Sequence, residues 1–262
     1  MTMRLKQYVL SPAAGKRVIA KALVQHPAIR KVVERGRLVI IAGTTNAYVA
    51  EEILNSLGQA SDFSRKRFFR GITMPPWAGR TDAGQMPDGR EFPGDVVILN
   101  GRWQRGKTIF DVVDDLQEGD VILKGANAAE IGTHKAAILI GDPKAGTIGT
   151  ALQAVAGRRV RLIIPVGVEK RVIGDLDDIA QQINLPGAAG PRLFTVTGEV
   201  YSELEAIKDL SSAEVELIAG GGVCGAEGCC RFALIGTEEQ LIQADTLLLP
   251  LAQEVPFSFD QG

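Results

Sequence analysis

Cysteine, histidine and aromatic residues are scarce in this chain, and long apolar runs are missing altogether. The three cysteines all fall between Cys224 and Cys230. An odd count confined to one turn cannot supply a disulfide framework. The two histidines, His26 and His134, lie far from that turn in sequence, so three thiols fall short of the four ligands of a closed zinc or iron–sulfur site. No metal and no cofactor is therefore expected. The glycines of GGGVCGAEGCC suit small-residue packing in a hairpin, or alternatively a close approach of backbone to a ligand or a neighbouring chain. No apolar run approaches the ~20 residues of a membrane span, and MTMRLKQYVLSP lacks a long apolar stretch and a small-residue cleavage site. The expected location is the cytoplasm, with no membrane partner. A net charge of −2 leaves no excess of one sign, which argues against a dedicated nucleic-acid binder. The cluster Arg65, Lys66, Arg67 and Arg70 beside Phe68 and Phe69 then reads as a local contact to phosphates or, as most such clusters are, a solvated face.

What the chain does have is 45% hydrophobic residues over 262 positions, enough to core one large or two modest domains. Its most informative stretch is RLVIIAGTTNAYVAEEILNSL, Arg37 to Leu57. Leu38 to Ala42 is a continuous apolar run, as in a strand covered on both faces. Val49, Ile53 and Leu57 then recur at helical spacing with Ala50 and Leu54. The turn between them, Gly43-Thr44-Thr45-Asn46, sits where a helix has unpaired N–H groups and the positive end of its dipole. It is either a site for a phosphate or carboxylate or a plain capped helix start.

Upstream, Ser11-Pro12 predicts a helix through Val24, and His26-Pro27 a break before a short helix from Ala28 to Arg35. The AAGKR around Lys16 lacks the first glycine and the Ser/Thr of a phosphate loop and is set aside. Downstream, strands are expected at Phe68–Met74, Val96–Asn100, Val121–Leu123, Ala136–Ile140 and Val160–Ile164. Helices are expected at 109–116, 147–156 and 176–183. The Pro- and Gly-rich excursion from Pro75 to Gly94 is a lid or an insertion. This alternation predicts an α/β fold: a mainly parallel, Rossmann-like sheet over residues 1–185 with helices on both faces. After the linker LPGAAGP, residues 191–262 read as strand, helix (Glu199–Leu210), strand, strand and helix, a small α+β module of ferredoxin-like type that packs on the first domain or on a second subunit.

Three segments, VIIAGTTNAYVAEEI, VILKGAN and AILIGDPKAG, resemble in their order the superfamily of ribose-5-phosphate isomerases, glucosamine-phosphate deaminases, CoA transferases and methylthioribose-phosphate isomerases. Ile131-Gly132-Thr133-His134 is similar to a further segment of the last group. The resemblance implies that Gly43, Thr44, Thr45 and Asn46 hold a substrate phosphate, and that the strand end Lys124-Gly125-Ala126-Asn127 borders the reacting centre. It also implies an acid where Asn127 stands. An amide accepts no proton at neutral pH, so the catalytic candidates become Glu130, His134 and Asp142, each with a plain reading as a loop residue or helix cap. Lys124 pairs with an anionic group as a point charge, or is an edge lysine reaching water. The expected partner is a small phosphorylated or carboxylated metabolite, handled by an isomerase-like enzyme, by a sensor that has lost its acids, or by a CoA-transferase-like protein through Glu130. A homo-oligomer is expected.

Overall fold

Residues 2–75 and 93–257 are described by the structure, a computed structural model of the chain. Most of the excursion from Pro75 to Gly94, read above as lid or insertion, lies outside the described residues. The element order begins β1 (Arg4–Leu10), α1 (Pro12–Gln25), α2 (Pro27–Glu34), β2 (Arg37–Ile40), α3 (Thr44–Ser56), β3 (Val96–Leu99), β4 (Arg102–Trp103) and α4 (Ile109–Val112). It continues with β5 (Val121–Leu123), β6 (Ala128–Glu130), β7 (Lys135–Ile140), α5 (Gly146–Arg158), β8 (Arg161–Pro165), α6 (Leu176–Ile183) and β9 (Arg192–Val196). The last elements are β10 (Glu199–Tyr201), α7 (Glu203–Ser211), β11 (Glu214–Gly220), β12 (Cys230–Gly236) and α8 (Glu238–Leu251).

The chain is α/β, with mixed sheets that include a parallel one. Its central sheet has the order β10-β8-β5-β2-β3-β4, in which β2, β5, β8 and β10 run parallel while β3 is antiparallel to both its neighbours, β2 and β4. Alternation along β2 divides the interior into two cores. Leu38 and Ile40 join the cluster that includes α1, α3, α7 and α8, whereas Val39 and Ile41 join the cluster that includes α4 and α5. Both faces of the sheet are therefore covered, which is why its strands read as unbroken apolar runs.

Several expectations are corrected. Ala136–Ile140 does form a strand, β7, but it lies in a separate antiparallel sheet of order β6-β7-β9. Phe68–Met74 is not a strand: a 3₁₀ turn at Arg65–Arg67 buries Phe68 edge-on against Phe63, with centroids 5.2 Å apart, and irregular backbone follows. The helix expected from Glu199 begins only at Glu203. Val200 and Tyr201 pair first with Ile164 and Pro165, and a capping box between Ser202 and Glu205 then starts α7. Strand β1, not foreseen, pairs along its whole length with β12, from Arg4 opposite Gly236 to Leu10 opposite Cys230. Strand pairing also crosses the linker at 185–191, since β9 bonds to β7 and β10 to β8. Of the three cysteines, Cys224 is exposed, Cys229 and Cys230 are buried, and none is in a disulfide.

No helix among the described residues is long and apolar enough to cross a membrane.

Candidate ligand-binding site

Two parallel strand ends define the site. The Ile41 N–H donates to Leu123 O at 2.9 Å, so the turn after β2 and the Lys124–Asn127 segment after β5 leave the sheet side by side. After β2 the chain passes through α3 to β3 on one side, while β5, β8 and β10 add on the other. A crevice opens beyond the carboxyl ends at such a reversal. Here it is a cavity of about 480 Å³.

Helices α3 and α5 both begin at this cavity, and they differ from the others in how they begin. Ser11, His26, Asp175, Ser202 and Thr237 each accept an early N–H of the helix they precede, and α4 has a capping box between Thr108 and Asp111. The residues before α3 and α5 are Gly43 and Ala145, which have no side-chain oxygen to offer. Gly43 O accepts from Ala47 N and Ala145 O from Gly149 N, so the N–H groups of 44–46 and 146–148 have no helical carbonyl to bond. Both positive dipole ends thus meet one cavity, lined in part by Gly43, Thr44, Thr45, Gly146 and Thr147. Thr45 is 2% exposed, and its Oγ1 has no hydrogen-bond partner among the described residues.

Charge is concentrated here as well. Lys124, Lys170 and Arg70 line the cavity. Arg70 donates to Asp95 Oδ1 at 2.7 Å, and the fully buried Asp95 also receives Ala42 N–H and Ile109 N–H, each at 2.9 Å. Lys170 Nζ donates to Ala126 O at 2.8 Å. The loop that carries it is fixed by Val168 N–H, which donates to the buried Glu203 at 2.8 Å. Burial, followed by the neighbouring Glu169 charge, pushes the Glu203 carboxyl well above the usual carboxylate range. Lys124 has no ion pair among the described residues, and its nearest acceptor, Gly125 O, is 3.4 Å away. The residue reaches the cavity surface, but its amine is densely surrounded. Burial, aided by Arg70, pushes it down to about 8, with Asp95 pulling weakly the other way.

The residues singled out by sequence divide into two groups. Gly43, Thr44, Thr45, Lys124, Gly125, Asn127 and Asp142 all line the cavity. Asn46 lies beneath it, fully buried: its Nδ2 donates to Ile41 O at 2.7 Å and Leu123 O at 3.0 Å, clamping the two strand ends. Asn46→Leu is expected to leave Ile41 O unpaired and Leu123 O with the Ile41 N–H alone, and to cost about 2 kcal/mol in chemical denaturation, and no measurable loss would remove the clamp role. Asn127 Oδ1 accepts Leu139 N–H at 3.0 Å, tying β7 to the rim. Asp142 Oδ1 accepts Lys144 N–H at 2.6 Å in the turn before α5. Glu130 and His134 lie elsewhere. Glu130 Oε2 accepts Leu176 N–H at the start of α6, and His134 is an exposed left-handed residue whose Nδ1 is 3.5 Å from Glu205.

The chain matches no protein-family model, and comparison with curated proteins and with solved structures gives no match. The site therefore has to be read from its own chemistry. Sequence reasoning overlooked Asp95 and Lys170, and read Arg70 only as a member of a basic cluster. Asp95 had a signal: an acid opening an apolar strand must find a cation and N–H donors once buried. The pairing of Arg70 had none, because its partner is 25 residues away.

Proposed function

We propose that the cavity binds a small phosphorylated or carboxylated metabolite, with its anionic group on the N–H groups of residues 44–46 and the Thr45 hydroxyl and with Lys124 as counter-charge. The observation that carries this reading is the coincidence, at a single cavity, of two helices without side-chain caps and one half-buried lysine that has no ion pair among the described residues. Preorganised N–H groups and an ammonium in a sheltered site suit an anion and leave a neutral ligand with unmet donors. On this reading the parallel strands are a Rossmann-like core with its ligand at the carboxyl edge, and the relation to the sugar-phosphate isomerase superfamily lies in the phosphate turn. The protein is taken as cytoplasmic and homo-oligomeric, with the β1-β12-β11 sheet and its helices as a ferredoxin-like element.

Isomerase-like chemistry needs a base beside the carbonyl. Asn127 cannot act as one, and its oxygen is already used by Leu139 N–H. Asp142 is the cavity carboxylate available for proton transfer. The commitment of Asn127 favours, as a second reading, a binding protein without such an acid.

Calorimetry with inorganic phosphate tests the anion site. Thr45→Val is nearly isosteric and removes one hydrogen bond to a charged group, so affinity should fall about tenfold. Because the orphaned Oγ1 is removed too, the ligand-free protein should be as stable as the wild type or more so. Unchanged phosphate affinity in this variant removes Thr45 from the site.

A further inference from the structure

We propose that Lys124 is a nucleophile that forms an imine with the carbonyl carbon of an anionic aldehyde or ketone held in the cavity. The inference rests on the anion reading above and adds a reaction to it. Three observations converge. The first is position: Lys124 follows Leu123, which pairs across the sheet with Ile40 and accepts Ile41 N–H, so the amine and the N-terminus of α3 belong to adjacent strand ends and line one cavity. A ligand anchored on residues 44–46 by its phosphate or carboxylate presents its uncharged part towards the amine.

The second is that, among the described residues, no ion pair and no short hydrogen bond occupies this amine. Arg70 is paired with Asp95 and Lys170 holds Ala126 O, while Lys124 has only the long contact to Gly125 O. The third is electrostatic. Among the described residues, the charged groups around the amine are Arg70 and Lys170, which repel an ammonium, Asp95, whose oxygens are taken by Arg70 and two backbone N–H groups, and Asp142, turned to Lys144 N–H. A desolvated lysine beside other cations is the arrangement that makes an amine nucleophilic near neutrality. With the group at about 8, about a tenth of it is neutral at pH 7, against well under a thousandth for an ordinary lysine.

The step balances without a further reagent. The neutral amine attacks the carbonyl carbon through its nitrogen lone pair, forming a C–N bond as the C=O π electrons move to oxygen. Proton transfer from nitrogen to oxygen gives a carbinolamine. Its hydroxyl leaves as water with the second amine proton, and the C=N bond forms. Protonated, this imine draws electrons from the adjacent carbon, whose proton Asp142 can accept, and hydrolysis returns the free lysine. The chemistry needs no acid at position 127. The substrate class is an aldehyde or ketone carrying a phosphate or carboxylate, of a size that about 480 Å³ admits.

The test uses pyridoxal 5′-phosphate purely as an anionic aldehyde probe, with cyanoborohydride to reduce any imine and peptide mass spectrometry to locate it. One adduct per chain on Lys124 is expected, absent in Lys124→Arg, suppressed by inorganic phosphate, and forming faster as pH rises, with a midpoint near 8 and a plateau above it. Label spread over exposed lysines with Lys124 unmodified overturns the proposal. Phosphate calorimetry separates the two readings. Phosphate binding weakened in Thr45→Val but without Lys124 label leaves the anion site and rejects the imine. Selective Lys124 label without phosphate binding supports the imine and rejects the anion site.

Discussion

Lys124→Met is expected to stabilise the ligand-free protein at pH 7 by about 2 to 3 kcal/mol, while removing imine formation and weakening anion binding. The gain follows from the depressed amine. In the unfolded chain it keeps its proton to about 10.5, but in the folded chain only to about 8. Between those values the unfolded state binds more protons, so wild-type stability rises with pH across that window. Below pH 8 the cost of holding an ammonium there is fully present. Methionine retains the stem and removes the charge. Urea denaturation at pH 7 and at pH 10.5 checks both parts: the difference between variant and wild type should be largest at the lower pH and shrink at the higher. A variant less stable than wild type at pH 7 would mean that the amine has a structural partner.

Arg17→Met should act in the opposite direction and more strongly, with a loss of about 3 to 5 kcal/mol, the usual consequence of breaking a buried ion network on one side. The Arg17 side chain is 9% exposed and reaches Glu51 at 2.6 Å, Glu52 at 2.8 Å and Glu254 at 3.0 Å. Its guanidinium lies 4.7 Å from the centroid of the Tyr48 ring, and that of Arg65 lies 4.6 Å from the same ring. Burial works to raise the Glu254 carboxyl, but hydrogen bonds and charge from Arg17, then Arg65, hold it below its ordinary value. This share of the stability is present above that ordinary value and lost as pH falls through the lowered one. Without Arg17, three carboxylates share Arg65 and a distant Lys21, 3.7 Å from Glu52.

The network also anchors two segments that wall the cavity: Arg65 precedes Phe69 to Pro75, and Glu254 precedes Phe257, which meets Phe69 edge-on at 5.6 Å. Phosphate affinity should therefore fall in Arg17→Met even though Arg17 does not line the cavity. Affinity unchanged alongside a large stability loss would separate the network from the site.

Local signals carried much of this architecture, and distant partners decided the remainder. The strand, turn and helix around Gly43 were legible because the hydrophobic period changes within a few residues. The strand at Val121–Leu123 and the helix after Asp142-Pro143 were legible for the same reason. Strand β1 was not: along RLKQYVL only Tyr8 and Leu10 are buried, and its partner lies at the other end of the sequence. The apolar run of β7 announced a strand, but which sheet it joins depends on β9, more than 50 residues on. Phe68 to Met74 has strand-like composition because Phe68 packs inward against Phe63 and Phe69 to Met74 form part of the cavity wall. At the site, the strand-end positions followed from the turn and from KGAN. The buried Asp95–Arg70 pair and Lys170 depend on contacts that no short window contains.

The pairing of β1 with β12 also bears on how the chain reaches its fold. Leu5 sits opposite Ile235, so this sheet closes a loop of some 230 residues, and contacts of that separation come late and slowly. During synthesis, residues 4–10 must wait with Tyr8 and Leu10 unprotected until residues 230–236 have been made, whereas the β2–β5 pair that frames the cavity needs only the first half of the chain. The cavity floor can thus assemble while the outer sheet is still open, and a nascent chain stalled before β12 would expose an unpaired strand edge to aggregation.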